Sequence, residues 1–258
     1  MGLIELVTPL CALLFVGIIA LFEVGRRIGI SRLAADPQGA QKGLGAVEGS
    51  VFALVGLLIA FTFSGAASRF DARRQLIIQE TNSIGTAWLR IDLLTTDDQT
   101  ELRELFRRYL DSRLAVYRKL PDIAASEIER ARGAQLQRRI WEQAVKAARN
   151  SNSPPLTTVF LPALNDMFDI ATTRVETSRL HPPLLIFLML VVLVLAGATL
   201  VGYAMAGGRR RNWLHIVGFA LVMTLAVYVI IDLEFPRLGF IKVDAADQML
   251  MDLRDSMH

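Results

Sequence analysis

Four stretches of this 258-residue chain carry no Asp, Glu, Lys or Arg: 6–22, 49–68, 182–208 and 212–231. All 28 basic and 25 acidic residues lie outside them. A helix needs about 20 apolar residues to cross a hydrocarbon layer of roughly 30 Å. Within that layer every backbone polar group must be satisfied by its own segment. Runs this long and this clean specify an integral membrane protein with four spans. They disfavour a soluble enzyme, a secreted disulfide scaffold and a disordered chain. The one cysteine, Cys11, lies inside the first run, which leaves no intrachain disulfide and no cysteine-rich metal site. The pI is near 9.3 but the net charge is only +3, too weak a balance to imply nucleic acid. It suits arginines placed at membrane edges. Glu5 precedes the first apolar run and no basic residue does, so the N-terminus reads as a retained anchor rather than a cleaved signal.

The expected fold is all-α, with four transmembrane helices and a helical-bundle insert between the second and third. Residues 1–68 form a first transmembrane pair, 69–181 the extramembrane domain, 182–231 a second pair, and 232–258 a C-terminal corner with a short amphipathic helix. Span one covers Leu6–Phe22, and the connector Glu23–Glu48 turns at Asp36-Pro37-Gln38-Gly39. In the insert, Ile77, Thr81, Ile84, Trp88 and Ile91 recur at helical spacing. Leu102, Phe106, Tyr109, Leu110, Leu114 and Tyr117 form a second stripe, opened by a capping box at Thr96 and Gln99 and ended by Pro121. Ile128, Leu136, Ile140 and Ala144 make a third. Past a break at 150–155, Phe160, Leu164, Met167, Phe168, Ala171 and Val175 make a fourth. Pro182 and Pro183 open span three within its first turn. Trp213 stands at the start of span four, where interfacial aromatics belong. In the tail, Asp244 caps a helix whose apolar face holds Ala246, Met249, Leu250, Leu253 and Met257.

The short connectors 23–48 and 209–211 hold seven Lys or Arg, which places both in the cytoplasm and the insert outside. No catalytic set is present: the three histidines are scattered, and no zincin, phosphate-loop or nucleophile-elbow spacing occurs. No cofactor or metal site is expected.

Span two carries the informative pattern. Gly56, Ala60, Ser64 and Ser68 recur every four residues. Such a stripe either packs a helix closely against another or, with Thr62, offers hydroxyls along a narrow ion path. Phe61 and Phe63 lie about 200° apart around a helix, so at most one of them constricts a given axis. Arg69 and Arg73 follow one turn apart and read either as a positive pore mouth or as interfacial snorkelling. Asp232 and Glu234 close span four, where acids reach water. Pro236 stops that helix, Gly239 permits a turn, and Arg237 has Asp232 or a headgroup within reach. This corner is expected to dock the tail against the insert.

The segments Ala60–Ser64, Ala67–Arg74 and Glu80–Arg90, with Asp232–Val243, resemble the bacterial bestrophin-like family of membrane proteins of unknown function. The order of spans and insert fits that family across nearly the whole chain. The family bears a distant likeness to bestrophins, which are homo-oligomeric anion channels. The resemblance therefore implies an oligomeric ion channel of the bacterial inner membrane, passing small inorganic anions. The alternative is a non-conducting scaffold or sensor whose insert binds a protein partner.

Overall fold

The computed structural model describes residues 3–36, 44–120, 122–151, 156–208, 211–237 and 239–258. The expected Pro37 turn, Lys42, the Pro121 stop, the prolines at 154–155 and two of the three arginines at 209–211 lie outside these residues. The protein is all-α, and among the described residues there is no strand. The described residues form eight α-helices in order: α1 Leu3–Ala35, α2 Leu44–Arg90, α3 Thr96–Arg118, α4 Ile123–Ser151, α5 Leu161–Arg179, α6 Leu184–Ala204, α7 Trp213–Glu234 and α8 Asp244–Ser256. Four helical segments are long and apolar enough to cross a membrane, and the α-helical insert joins the second to the third.

The chain divides into two compact units, Met1–Arg69 with His181–Phe240, and Phe70–Leu180 with Ile241–His258. Two helices run beyond their apolar stretches. The first continues through Glu23 to Ala35, so the first half of the expected connector is helical. The second is a single helix of 47 residues. Glycine does not stop either: α1 runs through Gly25 and Gly29 and α2 through Gly65 and Gly85, since a glycine inside a helix costs only about 1 kcal/mol and packing outweighs it.

In the first unit α1 packs on α6 and α7. Its buried residues, Val7, Cys11, Leu14, Ile18 and Phe22, keep to one helical face. Beyond Phe22 the contact passes to glycine. A Cβ on Gly25 would stand 1.9 Å from the Thr199 carbonyl oxygen, and one on Gly202 would stand 1.9 Å from that of Phe22. The two backbones touch there, as small residues permit in membranes, where lipid removes the hydrophobic drive between helices. At the same end Glu23 accepts from Arg27 at 3.1 Å and from Arg211 at 2.9 Å. The two basic connectors thus meet at one end of this unit. Span three begins at Leu184, with Pro183 outside the helix as its cap rather than within the first turn.

The second unit encloses an apolar core. Ile77, Ile84, Ile91, Leu102, Phe106, Tyr109, Leu110, Ile140, Phe160, Leu164 and Met167 all belong to it, joined by Leu250 of α8 and by Met257 just beyond it. All four insert stripes and the tail's apolar face reach this core, although Ile128 of the third stripe and Met249 of the tail are exposed. Helix α8 packs on α3, and its Arg254 holds Asp111 at 2.7 Å. Two caps differ from expectation. Helix α3 is capped by Thr95, whose hydroxyl donates to the Asp98 carboxylate at 2.8 Å, while Gln99 turns back to the Leu94 carbonyl at 2.8 Å. The preceding 3₁₀ turn over Ile91–Leu93 ends one residue earlier than the box requires. Helix α8 is likewise capped one residue early, by Val243.

Candidate functional site

Among the described residues nothing covers the small-residue stripe of α2. Gly56, Ala60, Ser64 and Ser68 are all exposed, and a Cβ on Gly56 would meet nothing within 4 Å. Phe61 is 67% and Phe63 46% exposed, on either side of the stripe. The buried residues of this segment, Val55 and Ala66, leave most of its surface free. Thr62 lies on the other side of the helix, and its hydroxyl donates at 2.7 Å to the Leu58 carbonyl of its own backbone. That bond commits the hydroxyl proton to its own helix.

Arg69 does not share the stripe's face. Five residues beyond Ser64, it lies about 140° further around the helix. Its Nε donates at 2.8 Å to Oε2 of Glu234, whose side chain is fully buried. The other carboxylate oxygen, Oε1, lies 3.0 Å from Nδ1 of His181. The His181 ring stacks on Phe235 with centroids 4.7 Å apart. Arg73, one turn past Arg69, donates from Nη2 to the Leu180 carbonyl at 3.2 Å.

One buried carboxylate therefore ties the end of the α2 apolar run to the start of the third run and the end of the fourth. Burying a carboxylate without partners is costly, and here an arginine and a histidine offset the penalty. Asp232 and Glu234, expected to reach water, are instead 4% and 1% exposed. The reason lies in the corner that follows. Helix α7 is capped by Phe235, Pro236 is buried, and the chain turns back so that the Phe240 N–H donates to Asp232 Oδ1 at 3.0 Å. A Cβ on Gly239 would fall 1.4 Å from that oxygen. Gly239 is thus required by close approach as much as by any turn.

Neither His181 nor the fate of Glu234 was foreseen from the sequence. A signal was present: Arg69, His181 and Glu234 each stand at the charged edge of an uncharged run. Residues at the same membrane level are candidates to pair.

A family model described as a bestrophin-like domain matches residues 10–247. The chain belongs to the bestrophin-like family. No curated protein matches the sequence. Among solved structures, a bacterial bestrophin homolog from Klebsiella pneumoniae matches at 15% identity with a TM-score of 0.67, covering 92% of this chain and 97% of that one. A single-site variant of that homolog matches at 16% identity with a TM-score of 0.69, covering 94% and 99%. At these identities the likeness is one of fold. The bestrophin-like match takes in the α2 stripe, the Arg69–Glu234–His181 tie and the Asp232–Gly239 corner.

Proposed function

We propose that this protein is an oligomeric ion channel of the bacterial inner membrane, with α2 lining the path and small inorganic anions as the permeant species. The observation that carries the reading is the uncovered α2 face. Ser64 and Ser68 present hydroxyls there with none of the described residues over them, and lipid offers such groups no partner. Copies arranged around an axis would surround that face with like faces and water. Membership of the bestrophin-like family supports the same reading.

On this reading Ala60, Ser64 and Ser68 face the axis. Arg69 and Arg73 turn away from it and serve structure. Phe61 and Phe63 flank the axis on opposite sides, so one of them narrows it.

Purified protein in liposomes tests the reading through anion-dependent flux. The parent should conduct, and Phe61→Ala and Phe63→Ala should raise leak unequally. Arg73→Glu should leave the reversal potential close to that of the parent. Absence of flux across voltage, pH and calcium would favour the non-conducting scaffold. A strong cation shift in Arg73→Glu would return the arginines to the pore mouth.

A further inference from the structure

On the far side of α2 from the small-residue stripe lies a groove of about 260 Å³. Leu58, Thr62, Ile186, Met189 and Ile230 line it, and Arg69 is its one charged residue. The lining comes from α2, α6 and α7. Thr62 adds no free hydroxyl, since that group is spent on its own helix.

The Arg69 guanidinium is arranged to serve this groove. Its Nε is committed to Glu234, while its two terminal nitrogens lie over Gly65, at 3.2 and 3.7 Å from where a Cβ would stand. Gly65 also lines the groove, so the missing side chain leaves room for the guanidinium edge. Of the ion pair only the cation reaches the surface, with Arg69 35% exposed and Glu234 fully buried. Arg69 is the first charged residue after the 49–68 run, and Pro182 opens the 182–208 run. The cation therefore stands at the level where lipid phosphates lie, and the apolar part of the groove runs into the hydrocarbon.

We infer that this groove binds an anionic glycerophospholipid, with its phosphate on the terminal nitrogens of Arg69 and part of one acyl chain against Ile186 and Met189. The volume is below the roughly 300–1,000 Å³ of a site that encloses a whole small molecule. One chain segment enters and the rest of the lipid stays in the bilayer. Phe61, which flanks the proposed ion path, also lines the groove, but the test reads lipid retention and does not depend on conduction.

Native mass spectrometry of the purified full-length protein tests it, after exchange into equimolar phosphatidylglycerol and phosphatidylcholine. The parent should retain phosphatidylglycerol about fivefold over phosphatidylcholine, the factor expected for one interfacial arginine. Arg69→Gln should bring the ratio close to one. Because that change also strips Glu234 of its arginine, Ile186→Trp provides a second arm. It fills the groove without touching the ion pair and should abolish retention of either lipid. Equal retention of the two lipids by the parent overturns the proposal, as does unchanged phosphatidylglycerol retention in Ile186→Trp. A third arm places Met189→Cys in a Cys11→Ser background. Efficient cross-linking between copies, with no lipid retained, assigns the groove to a second copy and overturns the lipid site.

Discussion

At the scale of single residues, buried charge decides what this chain tolerates. Glu80 on α2 is fully buried in the second unit. Arg113 donates to it from Nε at 2.6 Å, and Arg174 donates from Nη1. Arg174 also holds Asp247 at 3.3 Å and stacks over Tyr117 at 4.1 Å. Burial pushes the Glu80 carboxyl up, but the two guanidinium groups outweigh it and hold the carboxyl below the usual carboxylate range. The folded pKa is thus depressed relative to the unfolded one. The stability this group contributes is complete above the ordinary carboxylate value and is lost as pH falls through the lowered one. Glu80→Gln should destabilise the protein by about 3–5 kcal/mol at neutral pH, because buried Arg113 loses its charge partner and Arg174 loses one of two. It should also flatten the acid limb of the melting curve. Thermal unfolding in detergent from pH 7 down to pH 3 measures both effects. An unchanged melting temperature with an unchanged acid limb would show that Glu80 is not the anchor of this network. The sequence exposed Glu80 only as one letter of a motif. Helical periodicity marks apolar faces and is silent on which charges are buried beneath them.

At the scale of helices, two small-residue patterns occur, and only one is used within the chain. The α1–α6 contact runs through Gly25 and Gly202, where backbone meets backbone. The α2 stripe carries the longer four-residue repeat, yet none of the described residues of its own chain packs on it. The α1–α6 contact has four-residue repeats of its own, Gly25 with Gly29 on one side and Ala198, Gly202 and Ala206 on the other, but each is shorter than the α2 stripe and lies in a segment with other signals. The apolar runs were legible for a simpler reason: the absence of charge over a bilayer's thickness is a property of one segment, needing no partner. The same holds for the stripes of α3 and α5, whereas the starts of α3 and α8 were each displaced by a residue, because a cap depends on the turn before it. The two patterns should therefore respond differently. Gly202→Ala should lower the melting temperature of the chain itself, since the added methyl meets a backbone oxygen and the overpacking costs about 1–3 kcal/mol. Ala60→Leu should spare the fold of the single chain and the size of the assembly and, because Ala60 faces the proposed axis, should narrow the path and lower flux. Melting curves, sizing in one detergent and liposome flux separate the cases. Should Ala60→Leu break the assembly instead, the stripe packs against a neighbouring helix rather than facing an open axis.

For the whole molecule, the open question of consequence is which side of the membrane holds the insert. Short basic connectors bias orientation, and long domains cross largely regardless of charge. The structure sharpens the count, because the two connectors meet at one end of the first unit. Glu23 takes both Arg27 and Arg211 there, and Arg26 reaches the Gly208 carbonyl at 3.5 Å. Their positive charge belongs to one membrane face rather than two. At the other end of the same unit Arg69 is matched to the buried Glu234. The expected orientation has the connectors in the cytoplasm and the insert outside. Single cysteines introduced at Lys42 and at Asn150, each in a Cys11→Ser background, report it directly. Asn150 is exposed near the end of α4 and is open to a reagent, while Lys42 lies in the connector outside the described residues. A membrane-impermeant maleimide applied to intact cells should label the cysteine at 150 and reach the one at 42 only after permeabilisation. Labelling at 42 alone reverses the orientation and puts the insert in the cytoplasm. In that event the Arg69 end of the first unit faces the cytoplasm as well, and seven basic residues in two short connectors would have been overridden by the folding of the insert before its translocation.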